Sequence, residues 1–285
     1  ADKAPLETAL KATKPRPASG QWAQFLRNHD ELDLGRLTEE QRGRVFDAFG
    51  PEEGMQLYGR GIRRRLAPML SGDRARIELA YSLMFSLPGT PVIRYGDEIG
   101  MGDDLSLPER NCCRTPMQWS NEPEGGFTKG KPHLPVISGG PWGYETVNVA
   151  FQRRSPDSLL NWTERMIRAR KEAPEIGWGD YAIVATRDPA VLAIRYDWRG
   201  TSLLIVHNLD HAPREVLLKT GLPDGQGDRL IDILGDHHSE ADERGRHRLV
   251  LEGYGYRWFR IGGLDYLLRR RDSAPAETGR KRPRG

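Results

Sequence analysis

The hydrophobic periodicity of this chain changes near Gly179, and that change limits the folds open to it. Before Gly179, two short apolar segments, Trp22–Leu26 and Thr90–Tyr95, alternate with helical patterns, which is the order typical of β/α barrels. After Gly179, apolar residues recur at every second position in segments divided by Asp, Gly and Pro turns. The sequence therefore predicts an α/β segment followed by an all-β, antiparallel β-sandwich.

The predicted domain boundaries follow from this change of period. We expect an α/β domain over 1–175, a β-sandwich over 176–266 and a basic disordered tail over 267–285. The predicted sandwich strands are 182–185, 191–196, 203–208, 214–218, 229–234, 248–252 and 256–261. Since these strands alternate in hydrophobicity, we expect the sandwich to form a core of its own and to be stable alone, and the α/β segment not to be.

Four helical regions are predicted in the α/β segment, the first a short one over 6–11 that Pro15 and Pro17 end. The clearest runs over 73–87, where apolar residues recur at helical spacing and Asp73 is a suitable N-cap. Another follows the Ser155–Ser158 capping stretch. The region 33–70 is expected to be mostly helical, with Thr38 opening its first helix in capping fashion.

A cluster of polar side chains follows the first apolar segment. Arg27, Asn28, His29, Asp30 and Glu31 come directly after it, as at the mouth of a barrel whose strands deliver side chains to an active site. A carboxylate beside an imidazole can accept or hold several sugar hydroxyls. The alternative interpretation is a polar strand end that caps the next helix.

Four motifs in a fixed order connect this cluster to a known family. They are FLRNHDEL (25–32), GIRRRLAPML (61–70), the segment 76–104 containing GTPVIRYGDE, and RTPMQWS (114–120). The stretch from about 22 to about 263 resembles the later part of glycoside hydrolase family 13, the α-amylase family. Within it, the leading QWAQFLR and the GIRRRLAPML segment resemble the members that interconvert maltose and trehalose.

The resemblance implies a fold and a set of roles. The chain would hold strands seven and eight of a (β/α)8 barrel, followed by the family's β-sandwich. Asp30 would be the transition-state-stabilising aspartate that holds two sugar hydroxyls, with His29 beside it, and Arg114 would bind the substrate glucose. The alternative for Arg114 is a structural ion pair with Asp97 or Glu98.

The resemblance also places the family's nucleophile and acid/base before strand seven, where only 24 residues precede Phe25. We therefore expect a truncated chain that is inactive alone and whose partner is the amino-terminal half of the barrel. No cofactor or metal site is expected here, and any calcium would bind in that half. The expected small-molecule partner is an α-glucoside, maltose or trehalose. The alternatives are a hydrolase on the same scaffold, and a non-catalytic remnant or carbohydrate-binding module.

Composition limits the remaining classes of function. The start of the chain lacks the apolar core of a signal peptide, and no apolar run suits a membrane span. The adjacent Cys112 and Cys113 predict free thiols in a reducing compartment, hence a cytoplasmic protein.

The basic charge of the chain is concentrated near its end. The net charge is +3, and 269–285 holds seven Lys or Arg and two Asp or Glu. Because no aromatic residue accompanies these charges, nucleic-acid binding is not expected.

Overall fold

The computed structural model describes residues 1–14, 17, 20–223 and 225–262. The predicted basic tail over 267–285 lies outside these residues. The elements of the α/β segment are, in chain order, α1 (Ala4–Thr13), β1 (Ala23–Gln24), β2 (Leu32–Asp33), α2 (Glu39–Phe49), β3 (Gln56–Leu57), β4 (Gly61–Ile62), α3 (Leu66–Met69), α4 (Arg74–Ser86), β5 (Thr90–Pro91), α5 (Val149–Arg154), α6 (Leu159–Glu172) and α7 (Pro174–Trp178). The β-domain contains β6 (Asp180–Val184), β7 (Val191–Trp198), β8 (Thr201–Asn208), β9 (Arg214–Leu218), β10 (Arg229–Asp232), β11 (His238–Glu240), β12 (His247–Leu251) and β13 (Tyr256–Ile261).

Strands β1 and β5 pair in parallel, as two neighbouring strands of a β/α barrel do. The carbonyl of Trp22 accepts from the Thr90 amide at 2.7 Å, and that of Gln24 accepts from the Val92 amide at the same distance. Gly89 allows this approach, because its φ is +129° and a Cβ there would lie 2.5 Å from the Trp22 carbonyl oxygen. Both strands are shorter than predicted, since each has a single partner among the described residues.

The insertion between β1 and α4 is only partly helical, so the prediction for 33–70 is wrong in part. Helix α2 begins at a capping box in which Thr38 and Gln41 bond reciprocally, as expected for Thr38. The stretch between α2 and α3 instead contributes to a small antiparallel sheet of order β2-β4-β3, in which Ile62 of β4 is fully buried. Its strands are two residues long, too short for an alternating pattern to reveal them.

The β-domain is built on a six-stranded sheet of order β11-β10-β13-β8-β7-β6, and β9 and β12 pair antiparallel in a second, two-stranded sheet. One core lies between the two sheets and contains Val191, Val206, Leu230 and Phe259. Adjacent strands run antiparallel throughout, with Val206 opposite Arg257 and Ala193 opposite Val206. This is the predicted antiparallel β-domain.

The opposite face of the six-stranded sheet packs against the α/β segment. A single core joins residues of that face to residues of α4 and α6: Leu192, Ile194, Tyr196, Leu203, Ile205 and Trp258 lie against Tyr81, Met84, Phe85, Trp162 and Met166. Nearly all of these side chains are less than 5% exposed, Trp162 being the exception at 7%. The expectation that the sandwich buries its surface independently is therefore wrong, because its central strands are apolar on both faces.

Candidate active site

Arg27 fixes the loop that follows β1. Its side chain is 3% exposed, and its guanidinium donates to the carbonyl oxygens of Arg64 at 2.7 Å, Asp30 at 2.9 Å and Ile62 at 3.2 Å. Burial lowers the pKa of Arg27, and three carbonyl acceptors offset part of the cost of burying its charge. The loop is thereby tied to β4, which fixes the backbone that carries the Asp30 side chain.

The Asp30 carboxylate lies among three basic side chains. Its Oδ1 is 3.0 Å from Arg114 Nη2 and 3.5 Å from Arg110 Nε, and its Oδ2 is 3.4 Å from His29 Nε2. Arg114 also donates through Nε to the carbonyl of His29 at 2.9 Å, so it binds both the His29 backbone and the Asp30 side chain. The Asp30 side chain remains 38% exposed, which leaves lone pairs accessible to a ligand.

The carboxyl end of β5 is connected to the same place. Arg94 donates to the carbonyl of Asn28 at 2.9 Å and to that of Cys113. The Tyr95 hydroxyl donates to the carbonyl of Thr115 at 2.8 Å. Two barrel strands and the 110–118 loop thus meet at one edge, which positions Arg114 next to Asp30.

A buried ion pair lies behind this edge. Arg65, 1% exposed, donates to the carbonyl of Tyr95 at 3.0 Å and lies 3.4 Å from Asp97 Oδ1. Burial raises the pKa of Asp97 to about 6, although the charge of Arg65 opposes the rise. Asp97 is therefore the partner of Arg65, and the alternative of an ion pair between Arg114 and Asp97 or Glu98 is wrong.

The structure brings the three predicted site residues together, while their roles in binding and catalysis stay predictions. His29, Asp30 and Arg114 contact one another, although 85 residues separate the first from the last. Sequence reasoning did not assign roles to Arg110, which adjoins Asp30 in space, or to Glu31 and Tyr58, which contact Arg110. The signal available for Glu31 and Arg110 was the charge of the 27–31 cluster and of the 110–114 stretch, and no such signal pointed to Tyr58.

This arrangement suits a neutral polyol better than a metal ion. An accessible carboxylate held by guanidinium groups can accept two hydroxyl hydrogens, while Arg114 and His29 offer donors nearby. Within the described parts of the chain, no group of three or more His, Cys, Asp or Glu side chains is placed to hold a metal ion. Nor does any helix in those parts have the length and apolar character needed to cross a membrane.

The two cysteines lie just behind the site. Cys112 and Cys113 are free thiols, buried, with their Sγ atoms 3.7 Å apart. The Cys112 thiol donates to the carbonyl of Arg63 at 3.0 Å. Their free state agrees with the sequence prediction.

Comparison with known proteins agrees with this geometry. Residues 63–179 match the model of the α-amylase catalytic domain, and residues 200–260 match the carboxyl-terminal domain of sucrose-hydrolase-like proteins. A trehalose synthase of Thermus thermophilus is 39% identical over 94% of this chain and 28% of its own length. A trehalose synthase of Pimelobacter sp. is 39% identical over 92% of this chain and 46% of its own length. The chain thus spans less than half of these relatives.

Solved structures show the same fold. The trehalulose synthase MutB from Pseudomonas mesoacidophila superposes with a TM-score of 0.59 at 22% identity, covering 92% of this chain and 47% of that one. The similarity extends over both the barrel segment and the β-domain. The architecture is therefore the carboxyl-terminal region of a (β/α)8 barrel followed by an antiparallel β-domain.

Proposed function

Because the chain belongs to the α-amylase family, we propose that it forms the carboxyl-terminal part of an enzyme that interconverts maltose and trehalose by retaining α-glucosyl transfer. The observation that carries the proposal is the contact between Asp30 and Arg114 at the carboxyl ends of two parallel barrel strands. Two trehalose synthases similar to nearly the whole chain support it. The alternative is a hydrolase on the same scaffold, and analysis of the reaction products distinguishes the two activities.

Asp30 is proposed to hold two adjacent hydroxyls of the glucosyl group. As the ring flattens and gains positive charge, an ionised carboxylate at those hydroxyls interacts more strongly with the transition state than with the ground state. Arg114 keeps the carboxylate in place through its two contacts and donates to the same sugar. His29 supplies a further hydrogen-bonding group 3.4 Å from Asp30 Oδ2.

Retention of configuration requires a carboxylate nucleophile and a carboxyl acid/base as well. We propose that an amino-terminal portion outside the 285 residues supplies both and that the isolated chain does not turn over maltose. Trp22, Phe25 and Val92, beside the two short strands, are between 42% and 52% exposed, which suits a surface that further barrel strands would cover. A cytoplasmic location belongs to the same proposal, supported by the free thiols.

A fusion protein tests the proposal. The part of the Thermus thermophilus trehalose synthase that precedes its match to Gln21 is joined to residues 21–285, and maltose conversion is followed by chromatography. Trehalose should form in the fusion, and Asp30→Asn should abolish its formation while circular dichroism stays unchanged. Asp33→Asn removes the same charge three residues away, at an exposed site, and should leave activity intact. Release of glucose without trehalose would support the hydrolase, and normal turnover by Asp30→Asn would refute the role of Asp30.

A further inference from the structure

Arg110 is shared unequally between two neighbouring carboxylates. Its Nε lies 2.6 Å from Glu31 Oε2 and its Nη2 3.2 Å from Glu31 Oε1, a two-point contact that uses the planar guanidinium fully. The same Nε is 3.5 Å from Asp30 Oδ1. The arginine is therefore bound by Glu31 and only adjoins Asp30.

Glu31 is itself held in one place. Its side chain is 6% exposed, and its stem packs against Gly61 of β4. A Cβ added at Gly61 would lie 2.6 Å from Glu31 Cγ, so only glycine leaves space for this conformation. The carboxylate that binds Arg110 is thus positioned by the small three-stranded sheet.

The other side of the guanidinium faces an aromatic ring. Tyr58 lies at the tip of the β3–β4 hairpin, with its ring centroid 5.7 Å from Arg110 Cζ. Its φ of +56° is unusual for a residue with a Cβ, and its side chain is 53% exposed. Two contacts therefore fix Arg110: Glu31, just before β2, binds its Nε and Nη2, and the Tyr58 ring of the β3–β4 hairpin adjoins its guanidinium.

We propose that Glu31 is a positioning residue that keeps Arg110 from pairing fully with Asp30. Asp30 Oδ1 already has Arg114 at 3.0 Å. An Arg110 released from Glu31 would be drawn to the other carboxylate that it contacts, and a second guanidinium there would occupy lone pairs that sugar hydroxyls need. This inference deepens the proposed function and rests on it, since the affected ligand is the glucosyl group at Asp30.

Kinetics of the fusion protein provide one test. Glu31→Gln should raise KM for maltose about tenfold with a smaller change in kcat, because Asp30 binds the sugar less freely. Adding Arg110→Ala to Glu31→Gln should bring KM most of the way back to the value of the unsubstituted fusion. A merely structural role for Glu31 would not produce this rescue. Gly61→Ala, which displaces the Glu31 stem, should resemble Glu31→Gln, and Asp33→Asn should resemble the unsubstituted protein.

A structural measurement on the 285-residue chain keeps this inference separate from the proposed function. Crystal structures of the unsubstituted chain and of Glu31→Gln should differ at Arg110, with two-point contact to Asp30 in the variant. If Arg110 stays in place, or if the double variant binds maltose no better than Glu31→Gln, the inference is overturned. If Arg110 moves as expected while the unsubstituted fusion converts no maltose, the proposed function fails and the positioning role of Glu31 survives.

Discussion

The indole N–H of Trp258 donates to the hydroxyl of Ser82 at 3.0 Å across the boundary between the β-domain and the barrel segment. The same hydroxyl lies 2.9 Å from His207 Nε2. Because an indole only donates, Ser82 accepts from Trp258, and its hydroxyl forms a second hydrogen bond with the imidazole of His207. Burial lowers the pKa of His207 to about 3, so its ring is neutral. All three residues are 0% exposed.

Ser82→Ala should destabilise the chain by about 2–3 kcal/mol, because it leaves two buried polar groups without their shared partner. Urea unfolding followed by tryptophan fluorescence measures the change. Ser86→Ala is the matched control, since Ser86 is equally buried on α4 but its hydroxyl donates to the carbonyl of Leu83 in its own helix. It should cost about 1 kcal/mol or less. Equal losses in the two variants would mean that the contact across the boundary adds nothing.

Separating the β-domain from the barrel segment should abolish its stability. A chain of residues 180–262 would expose the sheet face that contains Leu192, Tyr196 and Trp258, each fully buried in the whole chain. An apolar face of that extent favours association. We expect such a segment to aggregate or to bind a hydrophobic dye, and limited proteolysis of the 285-residue chain to leave both parts together. A monomeric segment that unfolds cooperatively would contradict this.

The sequence predicted elements well where a long pattern or a capping residue was present. Helix α4 runs over Arg74–Ser86 behind the expected cap, since the Asp73 side chain accepts from the Arg76 amide at 3.2 Å. The observed bounds of β9 and β13 equal the predicted ones. The packing of the sheet on both faces was missed because two-sided burial depends on which helices lie opposite, and period two alone carries no such information.

The site was predictable only as far as motifs reach. His29, Asp30 and Arg114 lie in two recognisable motifs, and the structure brings them within contact distance. Arg110 lies in a short 3-10 turn and Tyr58 at a hairpin tip, so the approach of Arg110 to Asp30 and of Tyr58 to Arg110 depends on loop and hairpin geometry that periodicity does not encode. Asp97 pairs with Arg65 and not with Arg114, and this choice of partner likewise depends on the folded backbone and cannot be deduced from the sequence.

The buried Asp97 predicts a pH dependence of stability. Its pKa is raised by burial from 3.8 to about 6, so the native state binds a proton more tightly than the unfolded state does. Between about pH 6 and pH 4, acidification should therefore raise the free energy of unfolding of the unsubstituted chain relative to Asp97→Asn, by about 2–3 kcal/mol. Urea unfolding of both proteins at several pH values gives this difference, in which groups common to both cancel. Parallel curves would contradict the buried, protonatable state of Asp97.

Arg114 should matter more for substrate binding than for the chemical step. It contacts Asp30 through Nη2 and the His29 carbonyl through Nε, so its removal loosens the carboxylate and removes a donor to the sugar in both the ground and the transition state. In the fusion protein, Arg114→Ala should raise KM for maltose at least about tenfold and lower kcat by a smaller factor.

Two further variants complete this test of Arg114. Arg114→Lys keeps the charge but loses the planar two-point contact, so its KM should lie between that of the unsubstituted fusion and that of Arg114→Ala. Arg44→Ala, which removes an exposed arginine that pairs with Glu40 of its own helix, is the control and should change neither constant. A loss confined to kcat in Arg114→Ala would place Arg114 in the chemical step, and unchanged kinetics would leave it a structural partner of Asp30.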